Sequence, residues 1–180
     1  YNILLMRETL SRPVDVDETP LPDESPTDYV YRIVNTKAEE GWSRLTQRRL
    51  PLQPVLVADT VVTVDGRIFG KPHDVTQAEE MLLTLSGRTH QVMTAIGIVV
   101  RDKIKVRLST TNVQFREIGK REIRHCIASG EIFDKAGAYA IQGMAGAFIV
   151  EISGSYSGVM GLPLFETAQL LEEVGVEVFS

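Results

Sequence analysis

The chain has 180 residues, of which 43% are hydrophobic and 24% charged, and its formal net charge is −5. This length fits one domain with a sizeable core, and the acidity argues against general nucleic-acid binding, which needs a basic surface. No apolar run reaches the roughly 18 residues of a membrane span, and the single cysteine, Cys126, has no partner for an internal disulfide. We therefore expect one cytoplasmic domain over residues 1–180, with neither a nucleic acid nor a membrane as partner.

The start of the chain is predicted to be a strand followed by an acidic loop. Residues 1–6 read as a strand already in progress at Tyr1, so we expect a preceding N-terminal segment in the native protein. Residues 7–24 form a loop containing prolines. Its acidic side chains could hold a hard cation, but the calcium-loop spacing is missing, which favours a solvated loop. These side chains are Asp15, Asp17, Glu18, Asp23 and Glu24.

The first helix is predicted to begin at Ser25, with Pro26 in its first turn and Asp28 at the capping-box spacing. Apolar residues at helical spacing carry the helix to about Glu40. Lys37 lies at the edge of that apolar face. Taken alone, a lysine there most often extends its ammonium group to water, and less often meets an anion.

A short apolar strand, 55–57, leads directly into Asp59 and Thr60. In open α/β sheets, ligands collect outside the carboxyl ends of strands. An aspartate in that place can hold a divalent cation, orient water or accept a proton. The alternative is an aspartate that only caps a turn.

The next segment contains a hairpin and a glycine-lysine-proline tripeptide. Asp65-Gly66 predicts a two-residue hairpin turn. In 70–72, glycine allows close approach to the backbone, proline stiffens the loop, and Lys71 supplies a point charge suited to phosphate. The segment lacks the spacing of a Walker A loop. By itself it is weak evidence for a phosphate site.

The second half alternates strands with helices, which indicates an α/β fold with a mixed twisted sheet and flanking helices. The helix after the hairpin has Asp74 or Thr76 as its cap and Gly87 at its end. The predicted elements are helix 76–86, strands 90–100 and 104–117, helix 119–129, strand 147–153 and helix 163–174.

A further candidate segment is Glu131, Asp134 and Lys135 followed by the small-residue run AGAYAIQG. Small residues let a ligand lie against the backbone, and Gln142 could recognise a base because its amide offers both a donor and an acceptor. Close packing of strand against helix is an equally good reading. Cys126 lies on an apolar helical face and is expected in the core.

The order of these segments resembles the Maf family. The resemblance rests on DVDETP, ESPTDYVYRIVNTKAE, ADTVVTVDGRIFGKPHD, MLLTLSGRTHQVMTA, SGEIFDKAGAYAIQG and GSYSGVMGLPLFET, which together cover about residues 14–172. It implies two lobes around a central cleft, similar to inosine-triphosphate pyrophosphatases. It also implies hydrolysis of nucleoside triphosphates between the α- and β-phosphates with a divalent cation (Mg, Mn or Co), and a possible homodimer.

The resemblance also assigns roles to individual residues. Asp59 matches the family's catalytic aspartate, as general base or organiser of a metal-bound water, and Glu18 matches a functional acidic position that would share the metal. Lys37 and Lys71 match lysines associated with activity. Thr60 and Gln142 match positions that mark the subgroup preferring dTTP and UTP, with modified pyrimidine nucleotides as further candidate substrates.

One departure from the family pattern concerns the N-terminus. The family opens with a strand and a phosphate-binding S-x-S-x-R-R loop, and Ser11-Arg12-Pro13 does not match it. If this segment precedes Tyr1 in the native protein, the resemblance implies that activity is kept; if the protein lacks it, part of the phosphate-binding site is missing. Two alternatives stay open: a pyrophosphatase of the same superfamily that prefers purines (ITP or 7-methyl-GTP), and a non-catalytic nucleotide-binding regulator of septum formation.

Overall fold

The computed structural model describes residues 14, 16–48 and 52–178. The predicted strand at residues 1–6, the departure at Ser11-Arg12-Pro13 and Asp15 all lie outside these residues. Helices are interspersed between pairs of strands along the described chain, which confirms the α/β class. The strands are β1 (Val55–Val64), β2 (Arg67–Phe69), β3 (Thr89–Val100), β4 (Lys103–Phe115) and β5 (Ile149–Ser153). The helices are α1 (Pro26–Gln47), α2 (Val75–Leu85), α3 (Lys120–Ala128), α4 (Tyr156–Val159) and α5 (Leu164–Glu173).

The five strands form one sheet in the order β2-β1-β3-β4-β5. Every pairing among the described strands is antiparallel. The central strand β3 is buried over nearly its whole length because helices cover both faces of the sheet. On one face α1 packs against a cluster that includes Val61 and Met93. On the other face α2, α3 and α5 pack against even-numbered residues of the same strands, such as Val62, Val92 and Ile96.

The helix starts follow from local chemistry. Ser25 caps α1 by accepting a hydrogen bond from the Asp28 amide at 3.1 Å, with Pro26 as the first helical residue. Asp74 caps α2 by accepting from the Gln77 amide at 2.8 Å. Both predicted caps are confirmed.

Two tight turns set the register of the hairpins. Asp65 and Gly66 both have positive φ, +52° and +75°, as a type I′ turn requires, and they join β1 to β2. Arg101 and Asp102 also have positive φ and join β3 to β4. Strand β4 resumes at Lys103, one residue earlier than the sequence predicts.

The end predicted for α1 is wrong. The helix passes through Gly41 and runs to Gln47, seven residues beyond Glu40. Ala38 and Trp42 explain the extension, because they pack with Val99 in a separate cluster on the sheet. This tertiary packing outweighs the roughly 1 kcal/mol cost of one glycine in a helix. Within the described residues, no helix combines the length and apolar character needed to cross a membrane.

Candidate active site

A cavity of about 490 Å³ lies along β1, beside the part of the strand that β2 does not pair with. The strand contributes residues 56–60 and Val62 to its lining. Successive residues of a strand point to opposite faces of the sheet. Asp59 therefore meets the cavity on the α1 face and Thr60 meets it on the opposite face.

The strand that carries Asp59 and Thr60 is longer than predicted, so the expected position of these two residues is wrong. They lie in the middle of the ten-residue β1 and pair with Ala95 and Thr94 of β3. The rule of ligands at carboxyl ends of parallel strands does not apply to this antiparallel strand. What exposes the two side chains to a cavity is the short length of β2, which covers β1 only from Val62 onward.

Four of the residues selected from the sequence meet in one cluster of charges. Lys37 Nζ lies 2.6 Å from Asp59 Oδ1 and 2.6 Å from Glu18 Oε1. Lys71 Nζ lies 3.7 Å from Glu18 Oε2. The Lys37 and Asp59 side chains are only 13% and 11% exposed, whereas Lys71 is 57% exposed at the rim. One ammonium group therefore bridges two carboxylates inside the cavity.

Helix α1 directs Lys37 toward the strand. Ile33 and Val34, one turn earlier, are fully buried against the sheet and fix the rotation of the helix. Lys37 follows on the same face, so its side chain extends beneath α1 to Asp59. The expectation that Lys37, taken alone, extends to water is wrong, because its ammonium group has two carboxylate partners.

The loop before α1 is anchored to the helix and presents Glu18. The Tyr29 hydroxyl donates to the Glu18 carbonyl at 2.9 Å, and Arg32 donates to the Thr19 carbonyl at 3.0 Å. Arg32 also donates to both oxygens of Glu24, at 2.6 and 2.8 Å. The reading of this segment as a merely solvated acidic loop is therefore wrong for Glu18 and Glu24.

The cluster changes the pKa of each group in it. Burial raises the pKa of Asp59, and the Lys37 ammonium offsets only part of this effect. Burial alone would lower the pKa of Lys37, but Asp59 and Glu18 outweigh it and the pKa is raised. Burial likewise opposes ionisation of Glu18, yet Lys37 and Lys71 bring its pKa below the ordinary value. The pKa values of the two carboxylates are therefore shifted in opposite directions, upward for Asp59 and downward for Glu18.

The charges of these four groups cancel, since two carboxylates face two ammonium groups. Across residues 14, 16–48 and 52–178, no group of three or more His, Cys, Asp or Glu side chains is placed to hold a metal ion. Within the charge cluster the carboxylates available to a cation are Asp59 and Glu18, and Asp134 also lines the cavity. One or two carboxylates suit Mg²⁺, which takes its remaining oxygen ligands from substrate phosphates and water.

Thr60 and Gln142 have different positions relative to the cavity. Thr60 lines it, and its hydroxyl lies 2.9 Å from that of Thr94. Gln142 is exposed on a turn closed by the hydrogen bond from the Gly143 amide to the Ala140 carbonyl, and it is not a lining residue. Its role in specificity stays a prediction.

The candidate segment of Glu131, Asp134 and Lys135 supplies a second charged pair at the cavity. Asp134 and Lys135 line it, with 2.6 Å between Lys135 Nζ and Asp134 Oδ2. The amide of Gly137 donates to the carbonyl of Gly70 at 3.0 Å, which joins this segment to the loop of Lys71. The charged residues before a run of small residues had marked this segment in the sequence as a candidate ligand site.

Three curated relatives are similar to this chain over most of its length, and each is named dTTP/UTP pyrophosphatase. The protein from Nitrosomonas europaea is 68% identical over 179 residues, which cover 99% of this chain and 86% of that protein. The one from Nitrosospira multiformis is 54% identical with the same two coverages. The one from Aromatoleum aromaticum is 54% identical over 89% of this chain and 78% of that protein.

A family model described as Maf-like protein matches residues 3–174, nearly the whole sequence. This match agrees with the six segments from which the resemblance was inferred. With the identity to the three relatives, it shows that this chain belongs to the Maf family.

Proposed function

We propose that this chain hydrolyses dTTP and UTP, releasing pyrophosphate and the nucleoside monophosphate. The observation that carries the proposal is the bridge from Lys37 to Asp59 and Glu18 inside a cavity of about 490 Å³. That volume lies within the range of roughly 300–1,000 Å³ typical of small-molecule sites. The names of the relatives, two of them at 54% and one at 68% identity, support the choice of substrates.

The positive groups are suited to the triphosphate. Lys71 is held only at 3.7 Å from Glu18 and is largely exposed, so its ammonium group can turn to a phosphate oxygen. Lys135 lies at the same cavity on the segment joined to the Lys71 loop. Phosphoryl transfer depends mostly on placing the reactants and neutralising charge, which lysines at the rim accomplish.

Asp59 is proposed to orient the attacking water and accept its proton. The water oxygen forms a bond to the α-phosphorus, the bond to the bridging oxygen breaks, and pyrophosphate leaves. Burial raises the pKa of Asp59, so without a bound cation this carboxylate is a better proton acceptor than an ordinary aspartate. Lys37 keeps Asp59 in place and ionised, because the buried carboxylate has this ammonium as its partner.

Asp59 and Glu18 are also the residues proposed to hold a divalent cation. Such an ion supplies positive charge to the phosphate oxygens, which the cluster lacks because its own charges cancel. Activity measured with Mg²⁺, Mn²⁺ or Co²⁺ in turn identifies the ion. The homodimer implied by the resemblance and the cytoplasmic location expected from the composition stay predictions, and light scattering of the purified chain tests the first.

Asp59→Asn tests the proposal. We expect it to lower the rate of pyrophosphate release from dTTP by at least about 100-fold, the usual contribution of a general base, while the far-UV circular dichroism stays that of the wild type. Asp65→Asn is the matched control, since Asp65 is 69% exposed in a hairpin turn at the end of the same strand. An Asp59→Asn enzyme with wild-type turnover would remove Asp59 from the reaction.

The same assay separates the two alternatives. A purine-preferring enzyme would cleave ITP or 7-methyl-GTP faster than dTTP and UTP. A non-catalytic regulator would bind nucleotide in calorimetry without releasing pyrophosphate. Either result would overturn the proposed substrates.

A further inference from the structure

A chain of hydroxyl groups runs from the cavity into the protein interior. Thr60 Oγ1 lies 2.9 Å from Thr94 Oγ1 on the neighbouring strand β3. Thr94 Oγ1 lies 2.8 Å from the carbonyl oxygen of Gly158, in α4. That carbonyl also accepts a hydrogen bond from the Gly161 amide at 2.9 Å. Thr60 lines the cavity, whereas Thr94 is fully buried.

Counting hydrogens assigns the direction of each bond in this chain. Two oxygen-to-oxygen contacts of less than 3 Å each need one hydrogen between them. The two hydroxyls carry one hydrogen each, and the Gly158 carbonyl carries none. Thr94 must therefore donate to Gly158, and Thr60 must donate to Thr94. The Thr60 oxygen then has only lone pairs left to present to the cavity.

The surroundings hold this direction in place. The Gly158 amide donates to Ser155 Oγ at 3.0 Å, which fixes the short helix that carries the carbonyl. A side chain at Gly158 would meet Ser155 Cβ at 3.1 Å and Ser109 Oγ at 3.2 Å, so the backbone is closely packed there. Because Thr94 is fully buried, water has no access to replace either of its partners.

We propose that Thr94 is a positioning residue that makes Thr60 an obligate hydrogen-bond acceptor, so that the site selects a base with an N–H group at this contact. This inference rests on the proposed function, with the base lying against Thr60 in the cavity. Uracil and thymine have a single ring donor on their base-pairing edge, the N3–H. Cytosine has a bare lone pair at N3, which would face the lone pairs of Thr60. Thr94 therefore sets the preference for dTTP and UTP over CTP without touching the nucleotide.

Replacing Thr94 by valine tests this role. Valine keeps the shape of threonine but can neither accept from Thr60 nor donate to Gly158. The Thr60 hydroxyl is then free to rotate and to donate to N3 of cytosine. In the wild type we expect kcat/KM for UTP to exceed that for CTP by about tenfold or more, the effect of a repelled buried polar group. In Thr94→Val we expect this ratio to fall by at least about fivefold, mainly through faster CTP hydrolysis.

Thr94→Ser is the matched control, because serine keeps the hydroxyl and therefore the direction of both bonds. It should keep the wild-type ratio of UTP to CTP. A merely structural role for Thr94 would lower kcat/KM for both nucleotides equally and leave their ratio unchanged in Thr94→Val. An unchanged ratio would overturn the inference.

A measurement on the wild type covers the case in which Thr94→Val does not fold. In N3-methyl-UTP, a methyl group replaces the N3 hydrogen while both carbonyl groups of the base stay in place. We expect its kcat/KM to be about tenfold or more below that of UTP, since the acceptor on Thr60 loses its donor. Equal values for the two nucleotides would overturn the inference. If the wild type does not hydrolyse UTP at all, the proposed function itself has failed.

Discussion

Replacing Lys37 by methionine tests whether one ammonium group holds the two carboxylates of the site together. Methionine keeps the length and apolar stem of lysine but removes the charge. Asp59 and Glu18 each lie 2.6 Å from Lys37 Nζ, so the two carboxylates would face each other without a cation between them. We expect the variant to be less stable and inactive.

The expected loss of stability follows from the exposure of the three groups. Removing one partner of a fully buried ion pair costs about 3–5 kcal/mol, whereas an exposed pair contributes at most about 1 kcal/mol. Lys37 and Asp59 are nearly buried, but Glu18 is 37% exposed and the cavity admits water. We therefore expect Lys37→Met to lower the free energy of unfolding by about 2 kcal/mol, between these two limits.

Urea unfolding followed by the fluorescence of Trp42, the single tryptophan of the chain, measures this change. Trp42 lies in α1, the helix that carries Lys37, and packs in the core. Lys105→Met is the control, because Lys105 pairs with Glu173 on the surface and its removal should cost less than about 1 kcal/mol.

A second substitution separates the charge effect from lost packing. Adding Asp59→Asn to Lys37→Met removes the uncompensated buried charge, so stability should return to within about 1 kcal/mol of the wild type while activity stays absent. If Lys37→Met unfolds at the wild-type urea concentration, or if the added Asp59→Asn lowers stability further, the assignment of Lys37 as the bridge is refuted.

Two further predictions concern the segments around the cavity. Arg32 holds the pKa of Glu24 at about 2, below its ordinary 4.5, so this pair stabilises the fold above pH 4.5 and is lost as the pH falls toward 2. The stability gap between wild type and Glu24→Gln should therefore shrink in urea titrations below pH 4.5, and a constant gap would contradict this. Gly66→Ala, at φ +75° in open space, should cost about 1 kcal/mol. Gly137→Ala has a similar φ of +70°, but its new Cβ would lie 2.9 Å from a Val62 methyl, so it should cost about 2–4 kcal/mol. Equal decreases in Tm for the two variants would show that the contact with Val62 does not affect stability.

Local chemistry accounts for the elements that the sequence predicts well. The caps at Ser25 and Asp74 and the turn at Asp65-Gly66 depend on side chains and backbone angles within three residues of one another. No other part of the fold is needed to form them. Cys126 is buried as its place on an apolar helical face predicts.

Tertiary contacts explain the two main errors. Helix α1 continues through Gly41 because Trp42 packs against strand β3, a contact that the helical pattern alone does not reveal. Asp59 and Thr60 sit inside β1, although their polarity suggested the end of a strand. The middle of a strand tolerates these two polar residues here because a cavity lies along it. Partners on α1 and β3 also satisfy their polar atoms.

The composition and the order of motifs were enough to assign the α/β class and the Maf family. They also selected five candidate site residues: Asp59, Glu18, Lys37, Lys71 and Thr60. Each of these signals lies within a short stretch of sequence. Only the tertiary structure decided how these residues act on one another. Lys37 meets Asp59 across 22 positions and Thr94 meets Gly158 across 64, and such distant contacts arise from the packing of α1 and α4 against the sheet. The direction of the Thr60 hydroxyl likewise depends on two partners that no local pattern brings together.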